Sequence, residues 1–376
     1  MLYRQLGKRT GLKISQLGFG AMRLPMKEQD GKKIVDRELS TPMIHRAFEG
    51  GVNYIDTAVF YCDGDSESAV GDALKSWGKR EEIIVSTKNF DQGEDEKKWW
   101  GILEDSLKKL QVEYIDIYHN HGIQWNSYVN NIEPRIGKWM QKAKDQGLIK
   151  HICFSFHDAP DALIKLINTD YGDVVTLQYN MLDRQLEDGI NLAHEKGMGV
   201  VVMGPVAGGR LGAPSDVFTK LIKGVDRVPE LALRFVLANP NVSLALSGMS
   251  TMRQVEENLI TASDESPLSA DDMKKIDEHL EKLKNMKNLY CTGCRYCMPC
   301  PQEVNIPSVF DKYNLGKVYG LWDAAKDGYA FIERNPWEKG KNAGACVKCG
   351  QCEPKCPQKI PIMAQLEEAH KILASK

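Results

Sequence analysis

An alternation of short apolar segments with amphipathic ones runs from residue 14 to residue 260. The apolar segments are, in order, ISQLGFG, VNYID, EIIVSTK, YIDIYHNH, HICFS, VVTLQYN, GVVVMGP and SLALSG. Most of them are apolar at consecutive positions, which is typical of strands buried on both faces of a parallel sheet. Helical periodicity lies between them, as in residues 43–50, 67–77, 98–110 and 253–260. Eight strand–helix repeats predict an α/β fold of the (β/α)8 TIM barrel type.

An open, doubly wound sheet is the alternative for such an alternation. A dinucleotide-binding sheet of that kind carries a glycine-rich turn after its first strand. Here the turn reads GFGAMR (18–23), and it lacks the third glycine of the fingerprint. The sequence therefore favours the barrel.

Cysteine usage divides the chain near residue 287. Of ten cysteines among 376 residues, only Cys62 and Cys153 precede residue 291. The other eight form two runs, Cys291-x2-Cys294-x2-Cys297-x2-Cys300-Pro and Cys346-x2-Cys349-x2-Cys352-x3-Cys356-Pro. Since the chain also exceeds the usual size of one domain, we expect a barrel domain over residues 1–286 and a second domain over residues 287–376.

The spacing within both runs is typical of [4Fe–4S] ligation. Three thiolates at every third position hold one cluster, and the cysteine before proline ligates the other cluster. One predicted ligand set is Cys291, Cys294, Cys297 and Cys356, and the other is Cys346, Cys349, Cys352 and Cys300. Only the first run departs from the usual spacing, because two residues rather than three precede its Cys-Pro. The long spacer between the runs predicts a small, mostly helical ferredoxin-like domain.

Structural zinc and disulfides are the alternatives for these cysteines. Zinc sites generally use two separated pairs of ligands rather than four evenly spaced cysteines. Disulfides rarely persist in the cytoplasm, which is the location expected here because the amino-terminal sequence lacks a signal-peptide pattern. No apolar stretch is long enough to span a bilayer, and a formal net charge of −2 favours neither a nucleic-acid nor a membrane partner.

Four reactive side chains follow adjacent predicted strands of the barrel. Reacting groups of this fold gather at the carboxyl ends of its strands, and these ends supply Asp56, Lys88 and His121, with Tyr61 in the loop after Asp56. A lysine ammonium stabilises a phenolate, and a carboxylate keeps the lysine charged. Histidine can hydrogen-bond an oxygen on which negative charge develops. The set predicts reduction of a carbonyl group by a site that has a hydride donor.

Residues 1 to about 285 resemble the aldo-keto reductase family. The stretches that carry the resemblance are GVNYIDTAVFYCDGDSESAVGDALK, IIVSTK, YIDIYHNHG, FSFHD, LQYNMLDR and LSGMSTMRQVEEN. The resemblance implies a catalytic tetrad of Asp56, Tyr61, Lys88 and His121, with Tyr61 as the general acid. His121 rather than His119 takes the family position, so His119 is an additional histidine that lines the pore.

The same resemblance implies that NADPH or NADH binds extended across the mouth of the barrel. Ser155 and Gln178 would hold the nicotinamide amide, and the turn after strand eight would bind phosphate at a helix N-terminus. Arg253 favours NADPH over NADH, although it lies one residue from the expected register. The implied cofactor-binding residues are Gly20, Met22, Ser155, Gln178, Met203, Pro205, Ser247, Gly248, Ser250, Gln254 and Asn258.

A hydride carries two electrons, whereas a [4Fe–4S] cluster passes one. One hypothesis is that the clusters pass electrons between a ferredoxin-like partner and the barrel site. A second is an ordinary NAD(P)H-dependent reductase with structural or sensing clusters. A third is a non-catalytic nucleotide-binding electron carrier, which the intact tetrad disfavours. Two complete cysteine sets disfavour the second. We therefore expect an oxidoreductase that reduces an aldehyde or ketone and whose two [4Fe–4S] clusters pass electrons.

Overall fold

The computed structural model describes residues 1–91, 93–219, 221–287, 291, 293, 295–356 and 359–375, the side chains of 284–287 excepted. The chain forms two compact units. The barrel unit comprises Met1–Ala207 and Ala232–Pro267, and the C-terminal unit comprises Gly208–Leu231 and Leu268–Lys376.

Eight parallel strands close into a barrel, as the sequence predicts. The described residues form twelve strands in all: β1 Tyr3–Gln5, β2 Lys13–Ser15, β3 Leu17–Gly20, β4 Met26–Gln29, β5 Lys32–Val35, β6 Tyr54–Asp56, β7 Ile84–Asn89, β8 Ile115–Ile123, β9 Ile149–Phe156, β10 Val174–Gln178, β11 Gly199–Met203 and β12 Leu244–Gly248. The order around the barrel is β10-β11-β12-β3-β6-β7-β8-β9, and β1–β2 and β4–β5 form separate two-stranded sheets. All eight predicted strands are present in this ring, so the (β/α)8 architecture is confirmed.

Helices connect the barrel strands and continue into the C-terminal unit. They are α1 Gly7–Thr10, α2 Arg37–Glu49, α3 Ser66–Trp77, α4 Glu96–Leu110, α5 Trp125–Ser127, α6 Gly137–Asp145, α7 Pro160–Asn168, α8 Glu187–Glu195, α9 Val228–Ala238, α10 Met252–Ser263, α11 Ala270–Lys287, α12 Ile306–Tyr319, α13 Trp322–Phe331 and α14 Ile362–Leu373. A π-helical segment, Tyr128–Ile136, precedes α6. Among the described residues, no helix combines the length and the apolar character needed to cross a membrane.

Side-chain caps explain where several helices begin. Asp36 accepts a hydrogen bond from the amide of Glu38 at the start of α2, and Asp95 accepts one from Lys97 at the start of α4. These short polar side chains satisfy amides that have no partner within the helix. The helices therefore begin where the sequence supplies a cap next to an amphipathic segment.

The interior of the barrel is apolar at its amino-terminal end. A buried cluster there combines strand residues with Leu6 and Ile14 of the β1–β2 region; its other members are Tyr54, Ile84, Ile117, Cys153, Val174, Val201, Leu244 and Leu246. The amino-terminal hairpin thus contributes to the same core that the strands bury. Polar side chains in the barrel belong to the opposite, carboxyl ends of the strands, which is where the candidate site lies.

The C-terminal unit is helical and includes a segment of the chain that follows β11. Ser215, in that segment, donates a hydrogen bond of 2.7 Å from its hydroxyl to the carbonyl oxygen of Tyr319 at the end of α12. Phe218 is buried, and its ring packs edge-on against that of His279 on α11. Residues 208–231 therefore fold with the helices that flank the cysteine runs.

Candidate functional site

Three residues of the predicted tetrad lie on three neighbouring strands of the barrel, and the fourth, Tyr61, follows one of them. β6, β7 and β8 are adjacent; Asp56 ends β6, Lys88 is the penultimate residue of β7, and His121 lies within β8. Tyr61 begins a short 3₁₀ turn after β6. The two residues after it, Cys62 and Asp63, have φ of 53° and 54°, an uncommon conformation for residues with a side chain. The structure thus brings the four side chains to one end of the barrel.

Lys88 and Asp56 form a buried ion pair. The Lys88 Nζ lies 2.5 Å from Asp56 Oδ1 and 2.7 Å from the carbonyl oxygen of Thr57, and the side chains are 2% and 5% exposed. Burial acts to lower the pKa of Lys88, but the Asp56 carboxylate and Tyr61 outweigh it and raise that pKa above its usual value. The ammonium is therefore charged at neutral pH, and it lies 4.8 Å from the centroid of the Tyr61 ring.

His121 is a neutral hydrogen-bonding group. Its ring meets that of Tyr61 edge-on, with the centroids 6.2 Å apart. Burial, followed by the charges of Lys88 and His157, lowers the pKa of His121 to about 3. Phe60 stacks on the same imidazole, with centroids 4.8 Å apart and planes 5° from parallel. An imidazole held in this way presents an N–H or a bare nitrogen, rather than a charge, to an oxygen bound beside Tyr61.

Two residues that the tetrad prediction omits complete the polar network. Ser86 donates a hydrogen bond of 2.7 Å from its hydroxyl to Asp56 Oδ2, and His119 Nε2 lies 3.1 Å from the Ser86 oxygen. Both residues are fully buried. Each lies two positions before a tetrad residue, Ser86 before Lys88 and His119 before His121, so it faces the same side of its strand. This period of two is the sequence pattern that could have identified them.

The buried neutral histidines make the barrel sensitive to acid. Below pH ~6.5 an unfolded chain protonates its histidines, whereas the folded barrel keeps His121 neutral to about pH 3, so stability falls as the pH falls. Between pH 6.5 and pH 5 the loss from this residue is about 2 kcal/mol. We expect the free energy of unfolding, measured with urea, to fall by about 2 kcal/mol less in His121→Gln than in the wild type over this pH interval. An equal acid loss in both proteins would contradict the prediction.

The predicted cofactor residues follow a continuous arc of strand ends. β9, β10, β11, β12 and β3 are neighbours in that order, next to the strands of the tetrad. The residues lie at or just after these ends: Ser155 on β9, Gln178 on β10, Met203 and Pro205 at β11, Ser247, Gly248 and Ser250 at β12, and Gly20 and Met22 at β3, with Gln254 and Asn258 on α10. The structure therefore places all eleven on the same end of the barrel as the tetrad.

Several of these side chains also hold the strand ends in place. Ser155 Oγ accepts a hydrogen bond from the amide of Gly122. Gln254 accepts one from the amide of Ser250, and Asn258 donates one to Ser247 Oγ. α10 is thereby joined to the end of β12, with Thr251 as its N-cap. The turn that would receive a phosphate is thus an ordered helix N-terminus.

Arg253 lies on the exposed side of α10. Its side chain is 83% exposed and lies 3.8 Å from the Glu257 carboxylate. A solvated arginine can reach an anionic group at the surface, although it shares its charge with the neighbouring glutamate.

Five of the predicted cluster ligands line one cavity in the C-terminal unit. The cavity is bounded by Cys300, Cys346, Cys349 and Cys352, together with Cys297 and apolar side chains that include Met363 and Leu366. The first four cysteines are one of the two sets that the sequence predicts. Cys300, the ligand with the atypical spacing, thus lies with the three cysteines of the other run. Of the second set, the structure describes Cys291, Cys297 and Cys356, whereas Cys294 lies outside the described residues.

The two cysteine runs have positive φ at equivalent positions among their described residues. Positive φ occurs two and four residues after the first cysteine of each run, at Gly293 and Arg295 and at Lys348 and Gly350. Glu303 and Lys359, three residues after the Cys-Pro cysteines, also have positive φ and donate amide hydrogen bonds to the carbonyls of Cys300 and Cys356. The sequence pattern CPQ-x-(V/I)-x-I occurs at both of these turns, in residues 300–306 and 356–362.

Cys62, Cys153, Cys300, Cys346, Cys349, Cys352 and Cys356 are not in disulfides. Among the described residues, no three His, Cys, Asp or Glu side chains converge closely enough to hold a single metal ion. The sulfurs of a zinc site bind one ion at about 2.3 Å and must converge, whereas each cysteine of a [4Fe–4S] cluster can bind a different iron. Thiols spread around a cavity fit the second arrangement.

Comparisons with known proteins agree with this geometry. The sequence model of the Aldo/keto reductase family matches residues 16–281, and that of a 4Fe-4S dicluster domain matches residues 290–360. The L-galactose dehydrogenase of Arabidopsis thaliana is 30% identical over 310 residues, which span 75% of this chain and 95% of the plant protein. The NADH-specific methylglyoxal reductase of Escherichia coli (strain K12) is 26% identical over 73% of this chain and 98% of its own length.

A solved structure supports the fold. The aldo-keto reductase AKR11C1 from Bacillus halodurans, in its holo form, superimposes with a TM-score of 0.63 at 29% identity, and the match covers 74% of this chain and 96% of that protein.

Proposed function

Because this chain belongs to the aldo/keto reductase family, we propose that its barrel reduces the carbonyl group of an aldehyde or ketone to an alcohol. Tyr61 is the general acid, Lys88 and Asp56 support it electrostatically, and His121 hydrogen-bonds the carbonyl oxygen. The observation that carries this proposal is the ion pair between Lys88 and Asp56, buried at 2.5 Å beside the Tyr61 ring.

Proton transfer to the carbonyl oxygen leaves a phenolate on Tyr61. The Lys88 ammonium lies beside that ring, and a buried charge stabilises an anion more strongly than a charge in water does. Asp56 keeps the ammonium in place and raises its pKa. His121, being neutral, can donate a hydrogen bond to the oxygen without taking the proton that Tyr61 delivers. The four residues thus have separate roles in one proton transfer.

The arc of strand ends beside the tetrad fits a nicotinamide nucleotide. NADPH or NADH supplies the hydride when bound. Hydroxyl and amide groups at adjacent strand ends, Ser155 and Gln178, complement a carboxamide, and Met203 offers an apolar thioether to a ring. At the start of α10 the backbone amides favour phosphate. The remaining contacts come from Gly20, Met22, Pro205, Ser247, Gly248, Ser250, Gln254 and Asn258.

The C-terminal unit carries a 4Fe-4S dicluster domain, for which we propose a role in electron transfer. Two [4Fe–4S] clusters together hold the two electrons that one carbonyl reduction needs. The eight predicted cysteines would bind them, and the electrons would come from a ferredoxin or a similar one-electron carrier. The cavity that gathers Cys300 with Cys346, Cys349 and Cys352 supports the ligand set of one cluster.

A regeneration assay tests the coupling of the two units. An aldehyde is supplied with a trace of NADPH or NADH and an excess of a reduced one-electron donor, and alcohol is measured. Two electrons and a proton convert one oxidised nucleotide to its reduced form, so many turnovers per nucleotide require electrons from the donor. We expect sustained alcohol formation by the wild type and a stop after about one turnover per nucleotide in Cys349→Ala.

The same assay with excess NADPH or NADH tests the reaction of the barrel independently of the clusters. Cys349→Ala should then reduce the aldehyde at the wild-type rate, because the tetrad is intact. If the wild type also stops after one turnover per trace nucleotide but works with excess NADPH, the protein is an ordinary reductase whose clusters have a structural or sensing role.

A further inference from the structure

Two buried polar residues continue the hydrogen-bond network behind the tetrad. Ser86 Oγ lies 2.7 Å from Asp56 Oδ2, on the side of the carboxylate that Lys88 leaves unoccupied. His119 Nε2 lies 3.1 Å from Ser86 Oγ. Both residues are 0% exposed, and neither takes part in the proton transfer proposed above. A fully buried histidine next to a catalytic ion pair requires an explanation, because polar groups are costly to bury without a partner.

The direction of each hydrogen bond follows from the charge on Asp56. An ionised carboxylate only accepts hydrogen bonds, so the single hydroxyl proton of Ser86 points to Asp56 Oδ2. The Ser86 oxygen must then accept from its other neighbour, which places a proton on His119 Nε2. Burial and the Lys88 charge lower the pKa of His119 well below its usual value, so the ring carries one proton. The hydrogen bond to Ser86 therefore favours the tautomer with a proton on Nε2 and a bare Nδ1, in competition with the Phe154 backbone, which also acts on the ring.

The environment of His119 argues against a proton path through it. Across the sheet its register partner on β9 is Cys153, which belongs to the apolar core of the barrel together with Ile117. On the other side its register partner is Lys88 itself. A proton that reached His119 would have to enter the apolar core or approach the ammonium. An orienting role is consistent with these surroundings.

We propose that His119 is a positioning residue that acts through Ser86 on Asp56. The hydrogen bond that His119 donates fixes the Ser86 hydroxyl. Ser86 in turn holds Asp56 Oδ2, while Asp56 Oδ1 holds the Lys88 ammonium beside Tyr61. The rotation of the carboxylate is thereby restricted at both oxygens. This inference rests on the proposed function, since it assigns a role in the same carbonyl reduction.

The test combines single and double variants with steady-state kinetics. We expect kcat for aldehyde reduction to fall about tenfold in Ser86→Ala and in His119→Leu, with the KM for aldehyde unchanged. Because His119 acts only through Ser86, Ser86→Ala/His119→Leu should be no slower than Ser86→Ala alone. His119→Gln retains a donor at a similar position and should recover most of kcat. Wild-type kcat in His119→Leu, or a double variant that shows the product of both losses, would overturn the proposal.

A matched control separates positioning from barrel stability. Thr176 is another buried polar residue on a barrel strand, β10, and Thr176→Val should leave kcat unchanged. If kcat falls as much in Thr176→Val as in His119→Leu, the effect is due to packing and the proposal is overturned.

A readout without turnover distinguishes this inference from the proposed function. ¹⁵N NMR of histidine-labelled protein should show His119 with a protonated Nε2 and a bare Nδ1, and the signal should shift in Ser86→Ala. A wild type that shows this tautomer but reduces no aldehyde would refute the proposed function and leave the hydrogen bond established. A proton on Nδ1 instead would overturn the inference whatever the activity.

Discussion

Replacing Tyr61 with phenylalanine is expected to reduce carbonyl turnover by at least about 100-fold, since general acids contribute roughly 10²–10⁴ to such rates. The substitution removes one oxygen and its proton and leaves the ring beside Lys88 and His121. Neither of the other candidates replaces it, because the Lys88 pKa is raised by Asp56 and Tyr61 and the His121 pKa is lowered to about 3. At neutral pH the lysine holds its proton tightly, and the histidine has no acidic one to give.

Turnover is measured together with two tests that the variant is correctly folded and loaded. Nucleotide binding, followed by fluorescence, and the visible absorbance of the clusters should match the wild type, because the substitution removes only the hydroxyl group and keeps the ring. Tyr3→Phe is the control, since Tyr3 is a partly exposed tyrosine of the amino-terminal hairpin whose hydroxyl bonds the Gly51 carbonyl. Turnover that persists in Tyr61→Phe would remove Tyr61 as the acid and with it the mechanism proposed for the barrel.

The barrel strands could be predicted because their pattern is local. A strand buried on both faces is apolar at consecutive positions, and β11, in which Val200, Val201 and Val202 follow one another and are all buried, shows this in the sequence itself. The tetrad followed from the same information, since Asp56, Lys88 and His121 lie at or near strand ends and such ends meet at one edge of the barrel.

The Ser86–Asp56 hydrogen bond could not be predicted in the same way. It depends on the register between β6 and β7, in which Asp56 pairs with Ser86, and register is a property of the assembled sheet. His119 is a further case: the sequence indicated a pore-lining histidine but not its partner. Side chains that contact across strands are specified by packing rather than by their neighbours in the chain.

The segment after β11 shows a second limit of the sequence. Residues 208–231 lie between two barrel elements in the chain, yet they belong to the C-terminal unit. The contact between Ser215 and Tyr319 joins residues more than a hundred positions apart. Composition changes near residue 287 because the cysteines begin there, but composition does not reveal which earlier segment packs on the helices that follow.

If the chain binds two [4Fe–4S] clusters, Cys349→Ala is expected to lose about half of its bound iron. A [4Fe–4S] cluster that lacks one thiolate is poorly held, so the four irons of that cluster should be lost while the other cluster remains. Iron per protein and visible absorbance measure the effect. Cys62→Ser is the control, because Cys62 lies in the barrel unit beside the Ala21 carbonyl, and its iron content should equal that of the wild type.

Paired substitutions test which cysteines share a cluster. The cavity brings Cys300 together with Cys346, Cys349 and Cys352, and also with Cys297. In the proposed ligand sets each run lends its last cysteine to the cluster of the other run. Cys300→Ala/Cys349→Ala should therefore keep about half the iron, like either single variant, because both changes affect one cluster. Cys291→Ala/Cys349→Ala should lose nearly all of it, because each change affects a different cluster. If each run instead bound its own cluster, the Cys300/Cys349 pair would also lose both, and the exchange of ligands between the runs would be wrong.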